Sequence, residues 1–287
     1  MTLPNYDKGV TQTRADRKTF DDLDLASFQR HVLDWYGAYR RDLPWREDPD
    51  PYHILVSEVM LQQTGVQRVI PAYHRFLRAF PTLRSLADAS PANVLRSWHG
   101  LGYNRRAINL KRAAEVVGTT CGGSLPTGVL ELELLPGIGR YTSRAVACFA
   151  FDVQVAVVDT NVRRVLSAFA DCRLSEKETE ELAERLLPEG RASDWNQALM
   201  DYGALASRGR ARRTNKISEP FASTNRFWRG RIVDALCRHP ALSVPALLSE
   251  LPYPEKNEQR VRGLVLALHE EGLVEYDRGQ DSVSLPA

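Results

Sequence analysis

The feature that most constrains the fold is a row of ten helix-length segments between residues 26 and 205, separated by short breaks that contain Gly or Pro. Within these segments apolar residues recur three and four positions apart, the spacing that places them on one face of an α-helix. The only strand-like run in this part of the chain is short and extends from Val153 to Val158. The pattern therefore predicts an all-α body.

The composition limits the cellular setting of the protein. No apolar run approaches the roughly 18 residues that a membrane span needs, and residues 1–20 are polar and charged rather than a signal sequence. The four cysteines, Cys121, Cys148, Cys172 and Cys237, are too far apart in sequence for metal or redox spacing. We therefore expect a cytoplasmic protein with no membrane contact, four free thiols and no bound metal.

A different pattern begins near residue 226. Three helical segments, Phe227–Cys237, Val244–Leu251 and Glu258–Glu271, precede two short strand-like runs joined by a turn at Asp277–Gly279. This order favours a small winged-helix domain, although a helical bundle with a frayed tail would leave a similar pattern. The predicted boundaries are a flexible arm at 1–22, a helical domain at 23–206, a basic linker at 207–225 and the winged-helix-like domain at 226–287.

Basic residues are concentrated around the linker. Between Leu205 and Arg231 there are eight Lys or Arg residues and one acidic residue, Glu219, whereas the whole chain has a net charge of only +2. Such a segment is typical of a surface that binds a polyanion. A solvated linker rich in Arg would explain the same charge equally well.

The most specific local motif is Leu135–Thr142, which lies between two helical segments. Gly137 and Gly139, after Pro136, permit positive φ and a close approach of the main chain to a ligand, and Arg140 begins the next helix at its positive dipole end. The motif lacks the Gly-Lys-Ser/Thr ending of a nucleotide-binding P-loop. It favours a hairpin that grips one DNA phosphate over a plain turn between two helices.

Two carboxyl groups suit the cleavage of a glycosidic bond. Glu58 lies inside an otherwise apolar helical segment, and Asp159 follows an apolar run and precedes the helix predicted at Asn161–Phe169. A carboxyl group in an apolar setting can donate a proton to a leaving group, while an ionised partner stabilises the oxocarbenium-like centre left behind. We assign the acid role to Glu58 and the anion role to Asp159. A buried ion pair for Glu58 and a helix N-cap for Asp159 are the structural alternatives.

A DNA base must leave the duplex before it can be cleaved in this way, so a side chain has to fill the gap. The candidates are Gln62 and Gln63, about one turn beyond Glu58, and Tyr103 in a Gly-flanked turn. Because residue 62 is four positions after Glu58, the two side chains would share a helix face, and Tyr103 could stack on a base. A polar helix surface and a core aromatic are the alternatives.

At this point the residues resemble a known family, the helix-hairpin-helix (HhH-GPD) DNA glycosylases that include adenine DNA glycosylase and its archaeal thymine-mismatch relatives. The resemblance covers about Asp34 to Ala204 in the family's order and spacing. The matching segments are Leu43–Arg46, Ser57–Thr64, Gly100–Tyr103, Leu135–Gly139, Val158–Val162 and Asn196–Asp201.

The resemblance implies a two-lobed helix-hairpin-helix fold and a set of catalytic roles. Glu58 protonates the base, Asp159 stabilises the sugar cation, and Tyr141 and Asn161 support them. Bifunctional relatives of the endonuclease III type carry Lys where Tyr141 stands. Without that amine no Schiff base can form, so we expect a monofunctional glycosylase that does not cleave the strand.

The resemblance also implies DNA contacts. Gln63 and Tyr103 match residues that penetrate the base stack, and Arg46 matches a residue that lines the base pocket. We expect the partner to be double-stranded DNA with a mismatched or damaged base, the enzyme to be a monomer, and its location to be the nucleoid.

The chain departs from the family pattern in three ways. The four-cysteine iron–sulfur loop should begin at Ser207, yet no cysteine occurs between Cys172 and Cys237, so we expect no cluster. We expect Arg212 and Arg213 in this segment to supply the positive charge that the loop normally presents to DNA. Thr160 replaces a Gly of the adenine enzymes, and the winged-helix candidate stands where they have a Nudix-like domain that reads 8-oxoguanine.

These patterns rank the possible functions. Removal of adenine opposite 8-oxoguanine or guanine comes first, because the Gln pair and the Leu-Pro-Trp-Arg segment resemble adenine enzymes. Removal of thymine or uracil from mispairs with guanine is second. A mismatch-binding module without catalysis and a winged-helix transcription factor are further alternatives; retention of all four catalytic candidates and the mixed charge of Glu258–Glu271 argue against them.

Overall fold

A computed structural model describes residues 20–206, 221–251 and 257–287. The predicted arm lies outside these ranges except for Phe20–Asp22, which form a 3-10 turn. Arg212 and Arg213 also lie outside the described residues. No helix in the described ranges combines the length and apolarity needed to span a bilayer.

The body is helical, as predicted, and all ten predicted helices are present between residues 25 and 206. The helices of this part are α1 (Leu25–Tyr39), α2 (Pro51–Leu61), α3 (Val66–Ala79), α4 (Leu83–Ala87), α5 (Pro91–Ser97), α6 (Arg105–Thr120), α7 (Val129–Glu133), α8 (Arg140–Phe151), α9 (Thr160–Phe169), α10 (Glu176–Arg185) and α11 (Ala192–Ala206). The short α4 was not predicted; it begins with a capping box in which Thr82 and Ser85 exchange hydrogen bonds.

Two further predictions about elements are wrong. Helix α2 ends at Leu61 rather than at Thr64. In the described part of the chain Val153–Val158 pairs with no strand. The reason is that its main chain is hydrogen-bonded to the side chains of Arg144 and Asn196 instead of to a neighbouring strand.

The described chain forms two compact units. The first comprises residues 20–54, 127–133 and 138–206. Its core lies where α1, α9, α10 and α11 meet, around the fully buried Val32, Leu166, Leu182 and Trp195. Helices α7 and α8, which flank the predicted hairpin in sequence, belong to this unit and pack against each other.

The second unit comprises residues 55–126, 134–137, 221–251 and 257–287. It includes the C-terminal domain, whose elements are α12 (Asn225–Arg238), β1 (Ala241–Ser243), α13 (Val244–Glu250), α14 (Glu258–Glu270), β2 (Glu275–Asp277) and β3 (Ser282–Ser284). The strands form an antiparallel sheet of order β1-β3-β2, in which Val283 faces Leu242 and Tyr276. This is the winged-helix order, with β1 as an addition to the prediction, and α12 packs against α5.

Candidate active site

Asp159 is held by three hydrogen bonds in the first unit. Its Oδ1 atom accepts from the main-chain N–H groups of Asn161 and Val162 at 2.8 and 2.7 Å, and its Oδ2 atom accepts from Asn161 Nδ2 at 2.7 Å. The first two bonds make Asp159 the N-cap of α9, as the structural alternative predicted, and the anion role stays a prediction beside it. All three bonds fix the orientation of the carboxyl group, which the proposed role requires.

The amide of Asn161 is itself oriented by its neighbours. Its Oδ1 atom accepts a long bond of 3.4 Å from Arg164, whose guanidinium also donates to the carbonyl of Gly203 at 3.2 Å. A Cβ atom at Gly203 would lie 2.7 Å from the Asn161 carbonyl oxygen. The absence of a side chain at Gly203 therefore allows α11 to approach α9 closely at Asn161.

Asn196 fixes the segment that leads to Asp159. This amide is 2% exposed, accepts from the Val157 N–H at 2.8 Å and donates to the Val155 carbonyl at 3.0 Å. Arg144 adds a bond to the Ala156 carbonyl at 3.0 Å. A buried main chain without a partner strand needs such bonds, so Asn196 is a positioning residue that sequence reasoning found only as part of a motif.

Glu58 lies in the second unit, on the part of α2 that is apolar all round. Glu58 is 6% exposed, and its neighbours in sequence Val56, Val59 and Met60 are 0–3% exposed. The carboxylate of Asp50 accepts from two main-chain N–H groups at the start of the helix. Glu58 is therefore buried, as its position in an apolar stretch of sequence predicted, and its role as the acid stays a prediction.

Gln62 and Gln63 lie beyond the end of α2 rather than on it. The predicted helix face shared by Glu58 and Gln62 is therefore wrong, because the helix ends at Leu61 and Gln63 adopts the left-handed φ of 55°. Tyr103 has a similar φ of 49° in its own turn. Both turns line the same cavity, so the structure does bring these candidates together.

Arg106 joins these two turns, and sequence reasoning missed it. Its guanidinium donates to the carbonyls of Met60 and Gln62 at 3.0 and 2.6 Å and to that of Gly102 at 3.0 Å. Burial, followed by the nearby charge of Arg226, lowers the pKa of Arg106 to about 10 although the Tyr103 side chain raises it. It therefore stays charged at neutral pH. Its one sequence signal was an Arg close behind a Gly-rich turn.

Only one of the two hairpin glycines adopts the positive φ that the motif permits, because Gly139 has an extended conformation with a φ of −96°. Gly137 has a φ of 77°, and a Cβ atom there would lie 2.6 Å from that of Asn109, so both its conformation and its surroundings require Gly. Gly139 is the N-cap of α8 and provides no side-chain cap. The exposed Arg140 pairs with Glu180 at 2.7 Å. The proposed grip on a phosphate by Pro136 and these residues stays a prediction.

Arg46 lies in an ion-pair network rather than at an open surface. Its two terminal nitrogens donate to the carboxylate of Asp201 at 2.8 and 2.9 Å, and Arg41 donates to the same carboxylate. Burial by itself would raise the pKa of Asp201, but hydrogen bonds and charge from Arg46 and Arg41 outweigh it and hold that pKa below its ordinary value. The role of Arg46 in a base pocket stays a prediction.

Similarity to known proteins identifies the family. The sequence profile of the HhH-GPD superfamily of base excision DNA repair proteins matches residues 56–189. An adenine DNA glycosylase from Mycolicibacterium smegmatis is 40% identical over 230 residues, which cover 71% of this chain and 78% of that protein. The chain belongs to the HhH-GPD superfamily. A rat adenine DNA glycosylase is 42% identical over 206 residues, 64% of this chain but only 39% of the rat protein.

Solved structures agree with this placement. A thermostable thymine-DNA glycosylase is 33% identical, with a TM-score of 0.59 over 63% of this chain and 86% of that one. An endonuclease III–DNA covalent intermediate has a TM-score of 0.58 over 67% of this chain and 91% of that one, but its 22% identity supports the fold alone. The predicted helix-hairpin-helix fold is confirmed.

Tyr141 is the second residue of α8. The resemblance to the HhH-GPD family places it where bifunctional relatives carry Lys. It is half-buried against a small core of the first unit that includes Val155 and Val157, the residues that Asn196 fixes. Tyr141 therefore belongs to the same unit as Asp159 and Asn161.

The cysteines of this HhH-GPD protein do not fit an iron–sulfur cluster. Cys148 and Cys172 belong to the first unit, and Cys121 and Cys237 belong to the second. Burial raises the pKa of Cys148 to about 12 and that of Cys237 to about 11, so both favour the neutral thiol over the thiolate that iron needs. Within the described ranges no three His, Cys, Asp or Glu side chains are grouped to hold a metal ion.

Proposed function

We propose that this chain is a DNA glycosylase that removes adenine paired with 8-oxoguanine or guanine in duplex DNA. The observation that carries the proposal is the Asp159 carboxylate, fixed by three hydrogen bonds, in a chain 40% identical to an adenine DNA glycosylase. An anion held in this way stabilises a deoxyribose cation without having to reorganise during the reaction.

Glu58 supplies the proton. Its buried position in an apolar helix favours a carboxylic acid that can protonate the leaving adenine, while Asp159 stabilises the oxocarbenium-like sugar. The C1′–N9 bond breaks and its electron pair leaves with the protonated base. Water then adds to the sugar and gives one proton to the Glu58 carboxylate, which restores the acid. Gln63 and Tyr103, held in their turns by Arg106, fill the space that the extruded adenine leaves.

The reaction ends at the abasic site. Tyr141 offers a phenol where a lyase needs an amine, so no Schiff base forms and the strand stays intact. We further propose that the enzyme acts as a monomer and without an iron–sulfur cluster, because its cysteines do not fit one. Protein expressed with added iron should contain essentially no iron, and a content of about four atoms per chain would contradict this.

A second candidate is the removal of thymine or uracil opposite guanine. It is favoured by the 33% identity to the thymine-DNA glycosylase structure. Single-turnover excision from four duplexes, holding A·8-oxoG, A·G, T·G and U·G pairs, separates the two. The first proposal expects the two adenine substrates to be processed fastest, and faster thymine or uracil release would favour the second.

The catalytic assignment is tested by converting each carboxyl group to its amide. Glu58→Gln and Asp159→Asn should each slow excision roughly 10²- to 10⁴-fold. Asn is as good an N-cap as Asp and keeps the two main-chain bonds, but its amide nitrogen cannot accept from Asn161 Nδ2, so Asp159→Asn should lower stability by about 1 kcal/mol and still fold. Asp152→Asn, at an exposed left-handed position, is the matched control and should excise at the wild-type rate. Wild-type rates in both catalytic variants would refute the mechanism.

Strand cleavage is assayed on the same reactions. Products should run as intact strands until they are treated with alkali, and borohydride should trap no covalent complex. A trapped complex would show that an amine of this chain forms a Schiff base and would overturn the monofunctional assignment.

A further inference from the structure

The proposed function leaves the C-terminal domain without a role, yet that domain forms one wall of the cavity beside Tyr103. The cavity has a volume of about 670 Å³, and its lining belongs entirely to the second unit. The turns that carry Gln63 and Tyr103 form one side. The opposite side of the cavity is formed by residues of α12, and among them Arg226 lies nearest to the start of this helix.

Two contacts with the rest of the second unit hold the C-terminal domain in this place. His99, just before the Tyr103 turn, pairs with Asp234 of α12 at 3.0 Å. The main-chain N–H of Ala92 in α5 donates to the carbonyl of Pro286 at 3.0 Å. The position of α12 against the turns is therefore fixed by bonds at both ends of the domain's sequence.

Arg226 stacks on Tyr103. Its guanidinium carbon lies 3.7 Å from the centre of the tyrosine ring, and that of Arg106 lies 5.5 Å from the same centre. The guanidinium face that covers a ring leaves the N–H groups at its edge available to an acceptor. The residue expected to enter the base stack thus carries an arginine supplied by the C-terminal domain.

The cavity has an excess of positive charge. Two of its arginines are paired, Arg229 with Glu271 at 2.6 Å and Arg231 with Asp234 at 3.8 Å. Three more, Arg68, Arg105 and Arg226, are exposed and form no ion pair within the described part of the chain. Arg226 also lowers the pKa of Arg106, which shows that like charges meet here. An anion would relieve this repulsion.

We propose that α12 is part of the DNA-binding surface, and that Arg226, stacked on Tyr103, binds a phosphodiester of the strand that Tyr103 enters, with Arg68 and Arg105 binding neighbouring phosphates. This inference rests on the proposed function, because it takes duplex DNA as the ligand. Phosphate contacts of this kind fix the register of the protein on DNA and carry no sequence information.

The test measures binding rather than excision. The affinity for a duplex with a tetrahydrofuran abasic analogue opposite 8-oxoguanine is determined by fluorescence anisotropy over a range of salt concentrations. Loss of one phosphate contact reduces the slope of log affinity against log salt by about 0.9, which corresponds to roughly eightfold weaker binding at about 0.1 M salt. Arg226→Gln should show both changes, and Arg226→Lys, which keeps the charge, should keep the slope.

Arg238→Gln is the matched control, because it removes the same charge from the far end of α12, outside the cavity. It should leave the slope and the affinity at wild-type values. An unchanged slope in Arg226→Gln, or an equal loss in Arg238→Gln, would overturn the inference.

The two proposals fail in different ways. Because the analogue contains no base to remove, a wild-type protein that binds it through Arg226 but releases no adenine would refute the proposed function alone. Normal adenine release together with an unchanged salt slope in Arg226→Gln would refute only the inference about α12.

Discussion

Two guanidinium groups, Arg46 in the first unit and Arg106 in the second, are held by different kinds of acceptor. Arg46 makes a bidentate ion pair with the fully buried carboxylate of Asp201. The bonds of Arg106 instead go to main-chain carbonyls and to the Thr64 hydroxyl, with no carboxylate among its acceptors in the described residues.

The difference shows what each arginine is suited to do. Arg46 shares the counter-charge of Asp201 with Arg41, so this arginine stabilises the fold of its unit. Five N–H groups in one plane allow Arg106 to serve acceptors from two turns at once, and its positive charge stays uncompensated beside the turns that face the cavity. One arrangement favours stability, and the other combines rigidity with attraction for an anion.

The largest expected effect comes from removing the carboxylate. Asp201→Asn leaves the partly buried guanidinium groups of Arg41 and Arg46 without their counter-charge and should lower the free energy of unfolding by roughly 4 kcal/mol at pH 7. Because the pKa of Asp201 is lowered in the folded state, its contribution is present above about pH 4 and is lost as the pH falls through the folded-state pKa. The difference in melting temperature between the wild type and Asp201→Asn should therefore be smaller at pH 3 than at pH 7.

Asp194→Asn provides the control for this experiment. Asp194 lies on the same helix, α11, but is exposed and pairs with the equally exposed Arg191 at 3.0 Å. Its loss should change stability by less than about 1 kcal/mol at either pH. A gap for Asp201→Asn that stays constant from pH 7 to pH 3 would contradict the account of this network.

An intermediate effect is expected for Arg106→Lys, which should cost about 2–3 kcal/mol. The ammonium group keeps the charge but cannot reach the carbonyls of both turns in the fork geometry of a guanidinium, so buried acceptors lose their donors. Denaturant unfolding measures the cost, and single-turnover excision should slow as the Gln63 turn loosens. Arg105→Lys, at its exposed neighbour, should have stability close to that of wild type.

The smallest effect is expected for Arg46→Lys, about 1 kcal/mol in the same unfolding experiment. The ammonium group introduced by this change would still pair with Asp201 as a point charge and would lose mainly the second arm of the bidentate bond. The ratio of the losses in unfolding free energy caused by Arg46→Lys and Arg106→Lys tests the difference between the two arginines directly. A larger loss at position 46 than at position 106 would show that the carboxylate pair, and not the carbonyl clamp, depends on guanidinium geometry.

The local periodicity of the sequence accounts for most of the secondary structure. Helices with clear apolar spacing were predicted nearly to their ends, whereas the five-residue α4 and the three-residue β1 are too short to show a period. The bond from the Thr64 N–H to the Leu61 carbonyl closes a turn at the end of α2, so the predicted continuation through Gln63 failed. The Gly that marks this break in the sequence, Gly65, lies four positions beyond the last helical residue.

By itself the sequence indicated the residues to which we assign the chemistry, because Glu58, Asp159, Tyr141 and Asn161 stand in motifs whose residue types and order can be compared directly. Tertiary structure alone decided what holds them. The bonds of Asn196 to Val155 and Val157 and of Arg106 to Met60 span 39 to 46 positions of the chain. The stacking of Arg226 on Tyr103 joins the C-terminal domain to a turn that precedes α6. Such partners leave no periodic signal, since contacts across a fold depend on packing rather than on neighbours in the chain.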